Sequence, residues 1–112
     1  MKTINPASGE IIKEYAEMSF EEVSGIIVKA NTAQSQWKNH SYAERSVYMN
    51  EIAKLLKDRK QELGALMSTE MGKPLSQAIG EIEKCAWVCE YYAENAVKFL
   101  ANDNVETEAS KS

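Results

Sequence analysis

Few side chains in this sequence are equipped for covalent or acid–base chemistry, and their spacing keeps them apart. His40 is the single histidine. It sits in the polar Lys38-Asn39-His40 stretch between two helical patterns, where a solvated junction residue is expected rather than a general base, and no Ser/His/Asp or Cys/His set forms around it. Cys85 and Cys89 are one helical turn apart. Two cysteines so placed are badly set for a disulfide and too few for a zinc site, so both are read as small buried apolar residues. Glu81 and Glu83 fall on different sides of a helix, and Glu10, Glu14 and Glu17 belong to the opening segment and its continuation, so no carboxylate pair is set up for acid–base work. Gly9, Gly25, Gly64, Gly72 and Gly80 are dispersed and match neither the P-loop nor the dinucleotide fingerprint. The sequence therefore assigns no catalytic, cofactor-binding or metal-ligating residue.

The elements that would have to position such groups are bounded by composition. The chain has 112 residues, enough for one domain at about 100 to 200 residues each and too few for the two or three that a nucleotide-dependent dehydrogenase requires. With 44% hydrophobic and 27% charged residues it is an ordinary globular composition. A net charge of −4 and no dense Lys/Arg run argue against nucleic acid or an anionic membrane as partner. The start, Met1-Lys2-Thr3-Ile4-Asn5-Pro6, carries no apolar signal core, and nothing approaches the roughly 20 apolar residues of a spanning helix, so the cytoplasm is expected.

The chain reads as a single unit, 1–112, made of three segments. Residues 3–15 read as a β-hairpin, with Pro6-Ala7-Ser8-Gly9 as its turn. Residues 19–101 read as three long helices. Ser19-Phe20-Glu21-Glu22 is a capping box that starts the first, whose stripe of Val23, Ile26, Ile27, Ala30, Ala33 and Trp37 ends near Asn39. Ser41-Tyr42-Ala43-Glu44 caps the second, which runs to Gly72, and a polar run allows a break or kink in it between Asp58 and Gln61. Pro74 suits the first turn of the third, which runs to about Ala101. Residues 102–112 form an acidic, polar tail.

The third helix is apolar nearly all round. From Cys85 to Ala93 its only charged residue is Glu90. Two neighbouring helices and a hairpin cover about one side of such a helix, so Trp87 and Tyr91 or Tyr92 should be left in an exposed patch of the kind that marks a contact surface.

Several stretches in fixed order resemble the beginning of the aldehyde dehydrogenase family. They are Ile4-Asn5-Pro6-Ala7-Ser8-Gly9-Glu10, similar to that family's Asn-Pro-Ala-Thr-Gly-Glu opening; Ala43-Glu44-Arg45 heading a long helix; Thr69-Glu70-Met71-Gly72-Lys73-Pro74; and Glu81-Ile82-Glu83 followed by Tyr91-Tyr92-Ala93. Together they cover essentially the whole chain, and the wording from Glu81 to Ala96 is most similar to succinate-semialdehyde dehydrogenases. The resemblance implies a mainly α segment corresponding to the amino-terminal piece of that family's α/β fold. It also implies a parent reaction that oxidises an aldehyde to an acid with NAD or NADP.

In the family's fold these helices pack against a Rossmann-like cofactor domain, and the third lies near the substrate entrance. The resemblance thus implies a substrate-passage or interface face at Lys84, Trp87, Val88 and Tyr91, with Lys84 able to attract a carboxylate-bearing semialdehyde. The family's nucleophilic cysteine, glutamate base, asparagine oxyanion donor and Pro-Trp-Asn stretch find no match here: Trp37 is followed by Lys, Trp87 by Val, and Cys85 and Cys89 lie on a helix. The chain alone is therefore expected to hold no cofactor and to be inactive, with self-association or a missing catalytic and cofactor domain as its partner. A stand-alone helical interaction module and one half of a split dehydrogenase stay open beside this reading.

Overall fold

In the computed structural model, which describes residues 1–103, the hairpin turn is made by local chemistry. The Asn5 side-chain oxygen accepts from the Ala7 N–H (2.9 Å), and Gly9, at φ +75°, donates its N–H to the Asn5 carbonyl (2.8 Å). This positive φ is one that glycine adopts without strain. Strands β1 (Lys2–Ile4) and β2 (Ile11–Glu14) pair antiparallel with a register irregularity at Thr3/Ile4, and a Lys2–Glu14 ion pair of 2.9 Å closes their far end. The Gly72 turn lies against the hairpin, since a Cβ there would come within 3.1 Å of the Pro6 ring.

Both capping boxes form as read. At α1 (Phe20–Trp37) the Ser19 hydroxyl accepts from the Glu22 N–H (3.2 Å) while the Glu22 carboxylate accepts from the Ser19 N–H (2.7 Å). At α2 (Tyr42–Asp58) Ser41 and Glu44 repeat the pattern, and the Ser41 hydroxyl also donates to the Glu44 carboxylate (2.8 Å).

The helix count is four, not three. The expected second helix is divided at Arg59, whose φ −102° and ψ 12° leave the helical region, and α3 (Lys60–Met71) begins after it. There the Arg59 guanidinium forks onto the Glu62 carboxylate (2.9 and 2.6 Å), a short-range pair at the head of α3. Gly72 ends α3 at φ +69°. Pro74 then stands one position outside α4 (Leu75–Phe99) rather than inside its first turn, because its ψ of 132° is extended. Of the expected tail 102–112, residues 104–112 lie outside the described residues.

Packing centres on α4, which lies against both α2 and α3. The contact is built from small side chains: Ala53, Ala78 and Ala86 are 0–1% exposed, Ile82 is nearly as buried, and Gly64 is buried opposite Ile79. Larger apolar residues of α2 and α3, among them Ile52, Leu55 and Leu66, stand half exposed. No helix of the described residues is long and apolar enough to cross a membrane.

A Cβ built on Gly64 would lie 2.8 Å from the Ile79 side chain and 3.2 Å from its backbone N. Gly64→Ala should therefore lower the urea midpoint. Overpacking costs about 1–3 kcal/mol, which outweighs the roughly 1 kcal/mol that alanine gains over glycine in a helix. An unchanged or raised midpoint would show that α3 and α4 are not in close contact.

The Glu44 carboxyl is held below the ordinary carboxylate range, chiefly by the Ser41 N–H and then by the Ser41 hydroxyl. Its folded pKa lies below its unfolded value, so this contribution is complete at neutral pH and is lost as pH falls through the lowered pKa. Glu44→Gln should make acid unfolding, monitored by circular dichroism, less steep, and an unchanged profile would remove Glu44 from the acid response.

Candidate functional site

α4 runs for 25 residues, and three ion pairs lie along the edges of its seam. Glu81 is paired with Lys73 just after α3, Glu83 with Lys60 at the start of α3 (2.6 Å), and Glu90 with Lys57 near the end of α2. At about 100° per residue, Glu81 falls on one side of the Ala78, Ile82 and Ala86 row, and Glu83 and Glu90 on the other. Each pair is exposed and contributes little energy alone.

Lys84, Trp87, Val88 and Tyr91 are spaced i, i+3, i+4 and i+7, which brings them onto one helical face. Lys84 is exposed and has no ion-pair partner among the described residues, Val88 is half-buried, and Trp87 and Tyr91 remain 58% and 39% exposed. The Trp87 and Tyr91 rings lie 5.8 Å apart, and Tyr91 continues to Phe99 at 5.9 Å, forming a short aromatic row. The arrangement places one exposed cation beside an apolar track.

Cys85 is exposed and Cys89 half-buried, so the reading of both as buried apolar residues is corrected for Cys85. The reason is again the small-residue seam. Contact runs through Ala78, Ile82 and Ala86, and Cys85 stands about 100° round the helix from Ala86, toward the Glu81 edge of the contact.

A second feature was not visible in the sequence. The Arg45 guanidinium donates to three backbone carbonyls at the end of α1: Nε to His40 (3.1 Å), and Nη2 to Lys38 (3.0 Å) and Trp37 (3.3 Å). It also lies over the rings of Trp37 and Tyr42 at 5.7 and 5.4 Å. Carbonyls left without intrahelical partners thus meet a cation, which also suits the negative end of the helix dipole. Trp37 packs edge-on against Tyr48 at 5.2 Å, and His40 is packed against Trp37 at 5.3 Å with its imidazole 3.9 Å from Glu44. Around this corner runs an apolar groove of about 380 Å³ lined by Trp37, Tyr42, Tyr48, Ile52, Tyr92 and Leu100. The available signal was an arginine in the first turn after a helix ending in Trp.

A dinucleotide's phosphates would need free amides at a helix start. Here Glu22 and Glu44 already fill the first turns of α1 and α2, whereas the starts of α3 and α4 carry no side-chain cap.

The sequence model of the aldehyde dehydrogenase family matches residues 1–112. A probable NADP(+) succinate-semialdehyde dehydrogenase of Synechocystis sp. is 38% identical over 110 residues, 98% of this chain and 24% of that protein. NADP(+) succinate-semialdehyde dehydrogenase 2 of Schizosaccharomyces pombe is 39% identical over 84% of this chain and 19% of its own length. Among solved structures, succinic semialdehyde dehydrogenase of Streptococcus pyogenes with NADP+ superposes with a TM-score of 0.89 at 25% identity, over 98% of this chain and 24% of that one. An NADP-dependent glyceraldehyde-3-phosphate dehydrogenase of Bacillus halodurans reaches 0.83 at 34% identity, over 88% of this chain and 21% of that one. The chain thus spans about a quarter of the length of these relatives.

Arg45→Ala should cost about 1 kcal/mol or more: hydrogen bonds to charged groups are worth about 1.5–3 kcal/mol, and water replaces part of that at the freed carbonyls. The near-ultraviolet circular dichroism from Trp37 should also weaken. Arg45→Lys should recover less than half of the loss, because an ammonium cannot fork across three carbonyls and stack on two rings. Full recovery by lysine would reduce the role of Arg45 to charge alone.

Proposed function

Because the chain belongs to the aldehyde dehydrogenase family, we propose that it is the amino-terminal part of an NADP-linked succinate-semialdehyde dehydrogenase, in which the remaining length supplies the cofactor and catalytic machinery. The observation that carries this reading is the match from one end of the chain to the other, at 38% identity, to a quarter of such an enzyme. The parent reaction is oxidation of an aldehyde to a carboxylic acid, and the cytoplasm is the proposed compartment.

Within that enzyme the α4 face has a recognition role. The Lys84 ammonium attracts the substrate's distal carboxylate, and Trp87, Val88 and Tyr91 form the apolar wall along which the chain between carboxylate and aldehyde slides. None of these groups touches the aldehyde carbon, so the face contributes to binding and orientation, and its apolar remainder packs on the cofactor domain. By itself the 112-residue chain turns over no substrate and binds no NADP tightly.

A chimera in which this chain replaces the matching segment of the Synechocystis relative tests the reading. The chimera should oxidise succinate semialdehyde with NADP. Lys84→Ala in it should raise KM for succinate semialdehyde about fivefold, the effect of one exposed charge pair at about 1 kcal/mol, and leave an uncharged aldehyde such as hexanal unaffected. A chimera that binds NADP yet treats both substrates alike with and without Lys84 would remove the recognition role. Turnover by the isolated chain would remove the reading itself.

A further inference from the structure

We propose that Cys85 and Cys89 form a two-thiolate site on α4 for one soft monovalent cation, copper(I), bridged in line between the two sulfurs. The site is separate from the face proposed to meet substrate and does not depend on that reading. Both thiols are free, Cys85 exposed and Cys89 half-buried, and they stand near the middle of a helix that runs from Leu75 to Phe99. Ala86, between them in sequence, is 0% exposed, so the backbone that carries the pair is held in the seam.

Four residues apart on a helix, the two side chains have Cβ atoms about 5–6 Å apart and lean the same way, toward the helix N-terminus. The sulfurs therefore keep roughly that separation. A disulfide, which needs Cβ atoms about 3.5–4.5 Å apart, is out of reach. Two metal–thiolate bonds of about 2.3 Å laid end to end span about 4.6 Å, which the pair can meet. The spacing that hinders oxidation suits a bridging ion.

The ligand set also selects the ion. Among the described residues no group of three His, Cys, Asp or Glu side chains is placed to hold a metal, and Glu81, one turn before Cys85, is engaged by Lys73. A structural zinc ion takes four ligands, whereas copper(I) is a soft ion that thiolates favour and that two of them in line can hold. Uptake replaces two S–H bonds by two S–Cu bonds, so each ion bound releases two protons.

Under argon, copper(I) added as its acetonitrile complex to the reduced 112-residue chain should give one ion per chain in native mass spectrometry. A near-ultraviolet thiolate-to-copper absorption should appear, with two protons released per ion. Cys85→Ser and Cys89→Ala should each weaken uptake at least hundredfold in competition with a copper(I) chelator, with helix content by circular dichroism unchanged. Trp87→Cys in the Cys89→Ala background restores two thiols but sets them about 200° apart around the helix, and should not restore uptake. Zinc(II) should be held at least hundredfold more weakly than copper(I). A chain that takes up no copper(I), an ion shared between two chains, uptake kept by either single variant or regained with Trp87→Cys, or zinc(II) held as well as copper(I) overturns the proposal.

Discussion

Close approach of α4 to α2 and α3 through a seam made mainly of alanine and glycine, with Ile79 and Ile82 fitted into it, is the constraint on which the other features depend. Ala53, Ala78 and Ala86 are almost wholly buried, and Gly64 admits Ile79 where any Cβ would collide. Close packing of this kind is rich in dispersion contacts but covers little apolar area per residue. The bulky apolar residues therefore cannot also be inside. Isoleucines, leucines and aromatics that a self-sufficient domain of this length would bury are displaced to its surface, and the proposed recognition face on α4 draws on the aromatics.

What keeps the helices formed under such thin internal cover is local chemistry. Two reciprocal capping boxes, an αL glycine, a forked Arg59–Glu62 pair and the Arg45 clamp satisfy helix ends that would otherwise fray. These interactions act over a few residues and do not require a large core. The three lysine–glutamate pairs flank the seam and contribute little energy each. With Ala78, Ile82 and Ala86 turned inward, Lys84, Trp87, Val88 and Tyr91 lie on the side of α4 away from the seam.

The parts of this architecture that are legible in the sequence are those governed by short-range rules. The hairpin turn, both capping boxes and the Gly72 stop each depend on residues within four positions of one another, and the uncovered aromatic side of α4 comes from composition around its circumference. The division at Arg59 is legible only as a polar run, because nothing in Lys57-Asp58-Arg59-Lys60 forbids a helix and the break depends on a side-chain pair. The seam escapes a reading by apolar periodicity, which weights large residues, whereas close crossing selects small ones; Ala53 and Ala78 do not stand out in that pattern, and Cys85 is placed inside by its residue type alone. Arg45 gives only a faint signal of its clamp, its place in the first turn after a helix ending in Trp, because its partners are carbonyls, which carry no sequence signature.

The same physics separates recognition from chemistry in the proposed enzyme. A lysine at the end of a flexible stem attracts a carboxylate several atoms from the reacting carbon, and that attraction is equal in ground state and transition state because the distal charge does not change during oxidation. Uniform binding of this sort lowers KM and leaves kcat untouched. On the proposed role, Lys84 on α4 would therefore act on KM rather than on kcat, while the groups that stabilise the transition state would lie elsewhere in the enzyme.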